Sequence, residues 1–263
     1  MKIGFGSPLS GQIYPMAKDL GCDYIEANFF KLSNNDDLEK HLQLIDTYKT
    51  PVRNANAALG SLIAVGPSRL PLEAFEEYFE RAFKNASLLG VKTVVLGSGA
   101  SRKVPEDYPF EKGFEEFTRV ASLMGDISQK YGILTVIEPL CKKETNIINT
   151  VREGAEFVRN LNHPNVRLLA DSYHMRAESE DFSVIRENAD ILRHFHIAEA
   201  QVGNTEIRLM PDRKDAFDTK SYVEILKEIG YDGDLTIEAS SRGGDFVKDL
   251  EESVKAVREW TLQ

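Results

Sequence analysis

The sequence predicts a closed (β/α)8 barrel, and three observations carry that expectation. One unit recurs along the chain: an amphipathic helix, then Gly, then a short apolar strand. Eight strand-like segments begin near residues 2, 23, 51, 92, 134, 166, 192 and 234, with helical patterns between them. The length is 263 residues, and such barrels commonly close as one unit of about 250 residues. Residues 1–263 therefore read as a single domain, without a linker or low-complexity tract. No GxGxxG follows the first strand, which argues against an open dinucleotide-binding sheet.

Taken in order, the first strand opens at once in Lys2-Ile3-Gly4-Phe5-Gly6, with no apolar h-region of a signal peptide before it. The repeated unit then appears as Leu20-Gly21-Cys22-Asp23-Tyr24-Ile25-Glu26. A third strand near residue 51 ends in Asn54-Ala55-Asn56. The clearest helix runs from Leu72 to Leu89; Phe75, Phe79, Ala82, Phe83 and Ala86 share one face and Glu73, Glu76, Glu77 and Glu80 the other. The unit returns as Leu89-Gly90-Val91 leading to Val95, and as Tyr131-Gly132-Ile133 leading to Glu138. Its last copy is Ile229-Gly230-Tyr231 leading to Glu238, followed by a helix from about Phe246 to Trp260. Gly just past a helix takes the left-handed cap without a Cβ penalty. Short, continuously apolar strands suit a parallel sheet buried on both faces.

Composition narrows the partners. Lys plus Arg is 32 and Asp plus Glu is 42, a formal charge of −10, which repels phosphate backbones and disfavours nucleic acid. Two cysteines, Cys22 and Cys141, have no CxxC partner, so a reducing cytoplasm is the expected setting. No apolar run approaches the roughly 18 residues needed to span a bilayer. The expected partners are a small-molecule substrate and further copies of the chain, as a homo-oligomeric dimer or tetramer.

In barrels of this kind chemistry gathers at the C-terminal strand ends. The first four ends read Gly6-Ser7, Glu26, Asn54-Ala55-Asn56 and Gly97-Ser98. The last four carry Glu138, Asp171, His196 and Glu238, ligand-type groups on four successive strands. Three carboxylates and one imidazole suit one divalent ion, most simply Mn²⁺, with Co²⁺ or Mg²⁺ as alternatives. His174, three residues after Asp171, lies over the barrel mouth as a second ligand or a substrate contact. His194 shares a face with His196 one layer deeper and reads as a packed residue beneath the site. His41 and His163 fall on surface segments and receive no role.

These stretches resemble the xylose-isomerase-like TIM-barrel superfamily of sugar isomerases and epimerases, nearest its ketose 3-epimerase branch. The residues that carry the resemblance are Ile137-Glu138-Pro139-Leu140 with Glu144-Thr145-Asn146, Asp171-Ser172-Tyr173-His174, His194-Phe195-His196-Ile197-Ala198-Glu199, and Ile237-Glu238. The resemblance implies that Glu138, Asp171, His196 and Glu238 hold one divalent metal and that Glu138 and Glu238 also form the acid/base pair. It implies that Glu144 and His174 touch the substrate near its carbonyl end. One position departs: the epimerases carry an Arg six residues after the metal His, where this chain has Val202. Either Arg208 replaces it from the same loop, or the substrate differs. Apurinic endonucleases of the superfamily need extra His ligands at strand ends three and four, and none stands there.

The expected reaction is proton abstraction next to the carbonyl of a ketose or related keto-sugar, with the ion stabilising the developing enediolate. A metal-dependent lyase or dehydratase on a keto-glycoside or keto-inositol is the alternative, to which the polar loop from Gln201 to Lys214 fits comparably. A non-catalytic sugar- or metal-binding barrel is a third reading, against which the Glu138/Glu238 pair argues. Tyr14, Phe29, Phe30, Tyr108 and Phe110 are placed on loops near the mouth, to stack on a sugar or to pack. The Gly-rich, basic segment from Gly97 to Pro105 is a candidate phosphate nest. The apolar stretch Leu59 to Pro67 is a lid or a subunit contact, and Trp260 is core or interface.

Overall fold

The protein is described by a computed structural model covering residues 1–34, 37–201, 204–214 and 218–262. Eight parallel strands form the barrel: β1 (Lys2–Gly6), β2 (Tyr24–Asn28), β3 (Val52–Asn56), β4 (Thr93–Leu96), β5 (Leu134–Ile137), β6 (Val166–Asp171), β7 (Leu192–Ile197) and β10 (Asp234–Ile237). Each begins within one residue of the place the sequence assigns it. β1 pairs with both β2 and β10, which closes the ring. The helices are α1 (Ile13–Asp19), α2 (Phe29–Leu32), α3 (Leu38–Tyr48), α4 (Leu72–Leu89), α5 (Gly99–Arg102), α6 (Phe110–Lys130), α7 (Val151–Leu161), α8 (Ser172–Ala177), α9 (Ser183–Glu187), α10 (Lys220–Glu228) and α11 (Phe246–Leu262). Among the described residues no helix is long and apolar enough to cross a membrane.

The core follows the sequence periodicity. α4 buries Phe75, Tyr78, Phe79, Ala82, Phe83 and Ala86, and Gly90 ends it at φ 92°. Val95, Val136 and Leu169 form a small apolar layer of their own, contributed by neighbouring strands β4, β5 and β6. Gly4 matters for a different reason. A Cβ there would lie 2.3 Å from the Tyr24 ring, so its absence makes room for Tyr24 to reach Thr236 Oγ1 at 2.8 Å.

Some expectations need correction. The segment after β7 is not simply a loop: β8 (Glu199–Gln201) and β9 (Asn204–Leu209) pair antiparallel. β9 then runs beside the end of β10, where Ser240 N–H donates to Arg208 O and Met210 N–H donates to Ser240 O, both at 3.0 Å. Val202 lies outside the described residues. Tyr14 and Phe29 are not mouth aromatics but buried residues of α1 and α2. His41 is buried too, its Nδ1 3.0 Å from the Tyr14 hydroxyl. Leu59 and Val65 pack into the core, and so does Trp260. The segment from Gly97 is not an open basic nest, because it coils into α5 and Arg102 is buried.

Candidate active site

The strand order β10-β7-β6-β5 sets four strand ends side by side, and each delivers one polar group. Parallel pairing matches Asp171 with His196, and Thr236 with His196, so the ends sit at nearly one height. Glu138 continues β5 through its N–H, which donates to Leu96 O at 3.2 Å; Glu238 continues β10 by donating to Ile197 O at 3.3 Å. Glu138, Asp171, His196 and Glu238 each offer one ligand atom within 4.8 Å of the others. His196 Nδ1 lies 3.0 Å from Glu138 Oε1, 3.0 Å from Glu238 Oε2 and 3.7 Å from Asp171 Oδ2.

Local chemistry aims each group. A Cβ on Gly97 would stand 2.2 Å from Glu138 Oε2, so glycine there leaves the space the carboxylate occupies. Arg102 Nη2 donates to the Glu138 carbonyl at 2.6 Å and ties the strand end down. Asp171 caps α8: its Oδ1 accepts from Tyr173 N–H at 2.7 Å, which leaves Oδ2 for the centre. Asn56 Nδ2 donates to Glu238 Oε1 at 2.8 Å.

Three carboxylates so close, Glu138 and Asp171 buried and Glu238 partly so, need compensating positive charge. His196 and Arg208 supply it. Arg208 Nη2 lies 2.5 Å from Asp171 Oδ2 and its Nη1 2.5 Å from Glu238 Oε2, while the guanidinium sits over the Tyr173 ring at 4.7 Å. Burial pushes the Glu138 carboxyl up to about 7, against the pull of His196. Burial acts the same way on Glu238, but Arg208 and His196 outweigh it and hold that group well below the usual carboxylate range. Arg208 likewise lowers Asp171 against burial. Burial would neutralise His196, yet Glu26, Glu238 and Glu138 raise it well above an ordinary histidine. The donor set, its burial and its excess of negative charge fit a divalent ion.

The remaining expected residues gather at the rim. Arg208 arrives from β9 rather than from an irregular loop. His174 is buried; its Nδ1 accepts from Cys141 N–H at 3.0 Å, and its Nε2 lies 3.1 Å from Arg208 Nη2. Burial lowers its pKa to about 4, so the ring is neutral. Glu144 is exposed at the rim and clusters with Cys141 and His174. A cleft of about 300 Å³ opens from Glu238 and Arg208 towards Gly6, Ser7, Asn28 and Asn56.

Two participants have no role in the sequence reading. Asn56 is one, and the strand-end rule names it without showing that it reaches Glu238. Glu26 is the other. It is fully buried on β2, with Oε2 2.7 Å from His194 Nε2 and Oε1 2.9 Å from His196 Nε2. Its signal is the His-x-His alternation of β7, which stacks His194 beneath His196 and leaves a carboxylate as the natural partner of both.

Comparison with known proteins agrees with this architecture. D-psicose 3-epimerase of Agrobacterium fabrum is 26% identical over 246 residues, covering 88% of this chain and 80% of that enzyme. Ketose 3-epimerase of Arthrobacter globiformis is 36% identical over 124 residues, covering 47% of this chain and 39% of that enzyme. Among solved structures, the 3-keto-D-glucoside 4-epimerase YcjR of E. coli superposes with a TM-score of 0.85 at 20% identity, over 98% of this chain and 99% of that one. The family model described as xylose isomerase-like TIM barrel matches residues 15–262, nearly the whole barrel with its four-residue centre, and the chain belongs to that family.

Proposed function

We propose that this protein is a sugar epimerase or isomerase that moves a proton at the carbon next to a carbonyl. One observation carries the reading: two carboxylates, Glu138 and Glu238, flank one buried imidazole at 3.0 Å each, on strands separated by the two that bring Asp171 and His196. Glu138, Asp171, His196 and Glu238 would hold a divalent cation, with Mn²⁺ the best match and Co²⁺ or Mg²⁺ next. When bound, such an ion polarises a carbonyl and offsets negative charge developing on it.

The chain's own residues do the rest. One of Glu138 and Glu238 takes the proton from one face of the sugar carbon, and the other returns it from the opposite face, which inverts the centre. Asn56 holds Glu238 Oε1 and so fixes the plane of that carboxylate. Arg208, braced on the Tyr173 ring, and His174 line the carbonyl end. Arg208 does there what the family's Arg does from the position that is Val202 in this chain. His174 accepts at Nδ1 from the Cys141 N–H, and its Nε2 lies 3.1 Å from Arg208 Nη2, which can only donate, so the ring buttresses the guanidinium at the carbonyl end. The cleft of about 300 Å³ has room for a monosaccharide, whose distal hydroxyls would meet Ser7, Asn28 and Asn56.

The named relatives are epimerases, which favours epimerisation over the elimination chemistry of a lyase. The test is proton exchange in D₂O. The Mn²⁺-loaded enzyme should wash deuterium into at least one member of a ketose and keto-glycoside panel and yield an epimer of unchanged formula. No wash-in across the panel removes the proposal; release of an aglycone or water turns it into a lyase.

A further inference from the structure

We propose that Glu26 is a positioning residue for the cation site: from one layer below, its carboxylate fixes the ring and the proton of His196 so that Nδ1 presents a lone pair to the ion. The inference rests on the cation reading above. Glu26 reaches no solvent, and a buried carboxylate is tolerated only where donors surround it. His194 Nε2 lies 2.7 Å from Oε2 and Thr236 Oγ1 donates to the same oxygen at 2.7 Å, while His196 Nε2 stands 2.9 Å from Oε1 as an ion-pair contact without hydrogen-bond alignment. Tyr24 Oη, 2.8 Å from Thr236 Oγ1, braces the group from its own strand. The set joins β2, β10 and β7 across the barrel interior, and β2 and β7 are not sheet neighbours. The His194 ring packs edge-on to His196, centroids 4.9 Å apart at 83°.

The proton count follows. The Nδ1 side of His196 faces Glu138, Asp171 and Glu238, the would-be co-ligands. To bind an ion there, Nδ1 must be bare, and the ring's one remaining proton must sit on Nε2. Glu26 Oε1 is the carboxylate oxygen beside that nitrogen, 2.9 Å away, and neither atom has another hydrogen-bond partner among the described residues, so the two are left for each other once the ring turns to its ligating orientation. A carboxylate behind a ligating imidazole fixes its tautomer and raises its basicity, and losing it typically costs about 10–100-fold in metal affinity.

The experiment uses the full chain, stripped with EDTA and titrated with Mn²⁺ by calorimetry, as wild type and as Glu26→Gln. The amide can donate to Nε2 and so favours the wrong tautomer. The variant should bind Mn²⁺ about 10–100-fold more weakly, while circular dichroism of the stripped protein shows it folded. A folded variant whose affinity stays within about twofold of wild type overturns the inference, because a merely structural role lowers the melting temperature without moving the affinity. The second measurement needs no variant, and decides alone if Glu26→Gln does not fold. In ¹⁵N-histidine protein loaded with Zn²⁺, His196 should be protonated at Nε2; protonation at Nδ1 overturns the inference. A wild type without measurable Mn²⁺ affinity overturns the cation reading and this inference with it. Absence of sugar exchange in a protein that binds Mn²⁺ tightly sinks only the proposed reaction.

Discussion

Gly97→Ala is the smallest change that should disable the site. Gly97 has no left-handed backbone, so alanine is conformationally acceptable there. The obstacle is steric. The added Cβ would lie 2.2 Å from Glu138 Oε2 and 3.3 Å from its Cδ, whereas ordinary contact begins near 3.4 Å. The carboxylate must therefore retreat by about 1 Å, and it has little freedom to do so: Oε1 is held 3.0 Å from His196 and the backbone is pinned by Arg102. A 1 Å misplacement of a reacting group costs about 100-fold in rate. Overpacking at a buried position costs about 1–3 kcal/mol of stability, so the variant should still fold. Two assays read the outcome: Mn²⁺ affinity by calorimetry and the rate of solvent deuterium exchange into the sugar that the wild type turns over. The expected result is an exchange rate down about 100-fold with weakened Mn²⁺ binding. Wild-type values for both in Gly97→Ala would show that Glu138 is not confined as described, and would refute its place at the centre.

Other outcomes follow from the same geometry. Arg208→Met removes a positive charge from Asp171 and Glu238, so Mn²⁺ should bind at least about tenfold more tightly while sugar exchange slows; calorimetry showing unchanged or weaker Mn²⁺ binding contradicts the charge balance. Asn56→Leu deletes the donor to Glu238 Oε1, a hydrogen bond to a charged group worth about 1.5–3 kcal/mol, and should lower the exchange kcat by about tenfold or more; a change confined to KM would instead make Asn56 a simple sugar contact. His41 is held below its ordinary value by burial, so it stays neutral in the folded state while the unfolded chain takes up a proton below about pH 6.5. Stability is then intact above that pH and lost as pH falls towards the folded-state value, and His41→Gln should show a smaller drop in melting temperature between about pH 7.5 and 5.5 than wild type.

The barrel was legible because its signals are local. A Gly after four of the helices, each followed by a short apolar run, locates β2, β4, β5 and β10, and the register of parallel strands then aligns Glu138, Asp171, His196 and Glu238 without long-range information. What escaped was set by contacts across the barrel or by side chains that local pattern misassigns. Nothing near Glu26 in sequence says that His194 and His196, some 170 residues later, converge on it. Tyr14 sits among Pro, Gly and Gln and reads as a loop, yet α1 docks against α3 and buries it against His41. The hairpin of β8 and β9 is polar, so composition reads it as loop. Its order comes instead from pairing with Ser240 at the end of β10 and from the buried Glu199, which forms an ion pair with Arg242.

On the proposed reading, β9 supplies through Arg208 the arginine that the epimerases carry where this chain has Val202. In a loop, an arginine reaches a substrate by the length and freedom of its side chain. Here the backbone carries it: Ser240 N–H fixes Arg208 O two residues beyond Glu238, so the Cα of Arg208 is placed by the barrel itself. The guanidinium is then clamped from three sides, by Asp171, by Glu238 and by the face of Tyr173. Ordering a long cationic side chain ahead of ligand reduces the entropy lost on binding. It also places the positive charge between two carboxylates that an ion would share. On that reading, Arg208 is therefore both a preorganised contact for the carbonyl end of a sugar and the counter-charge that holds Asp171 and Glu238 ionised.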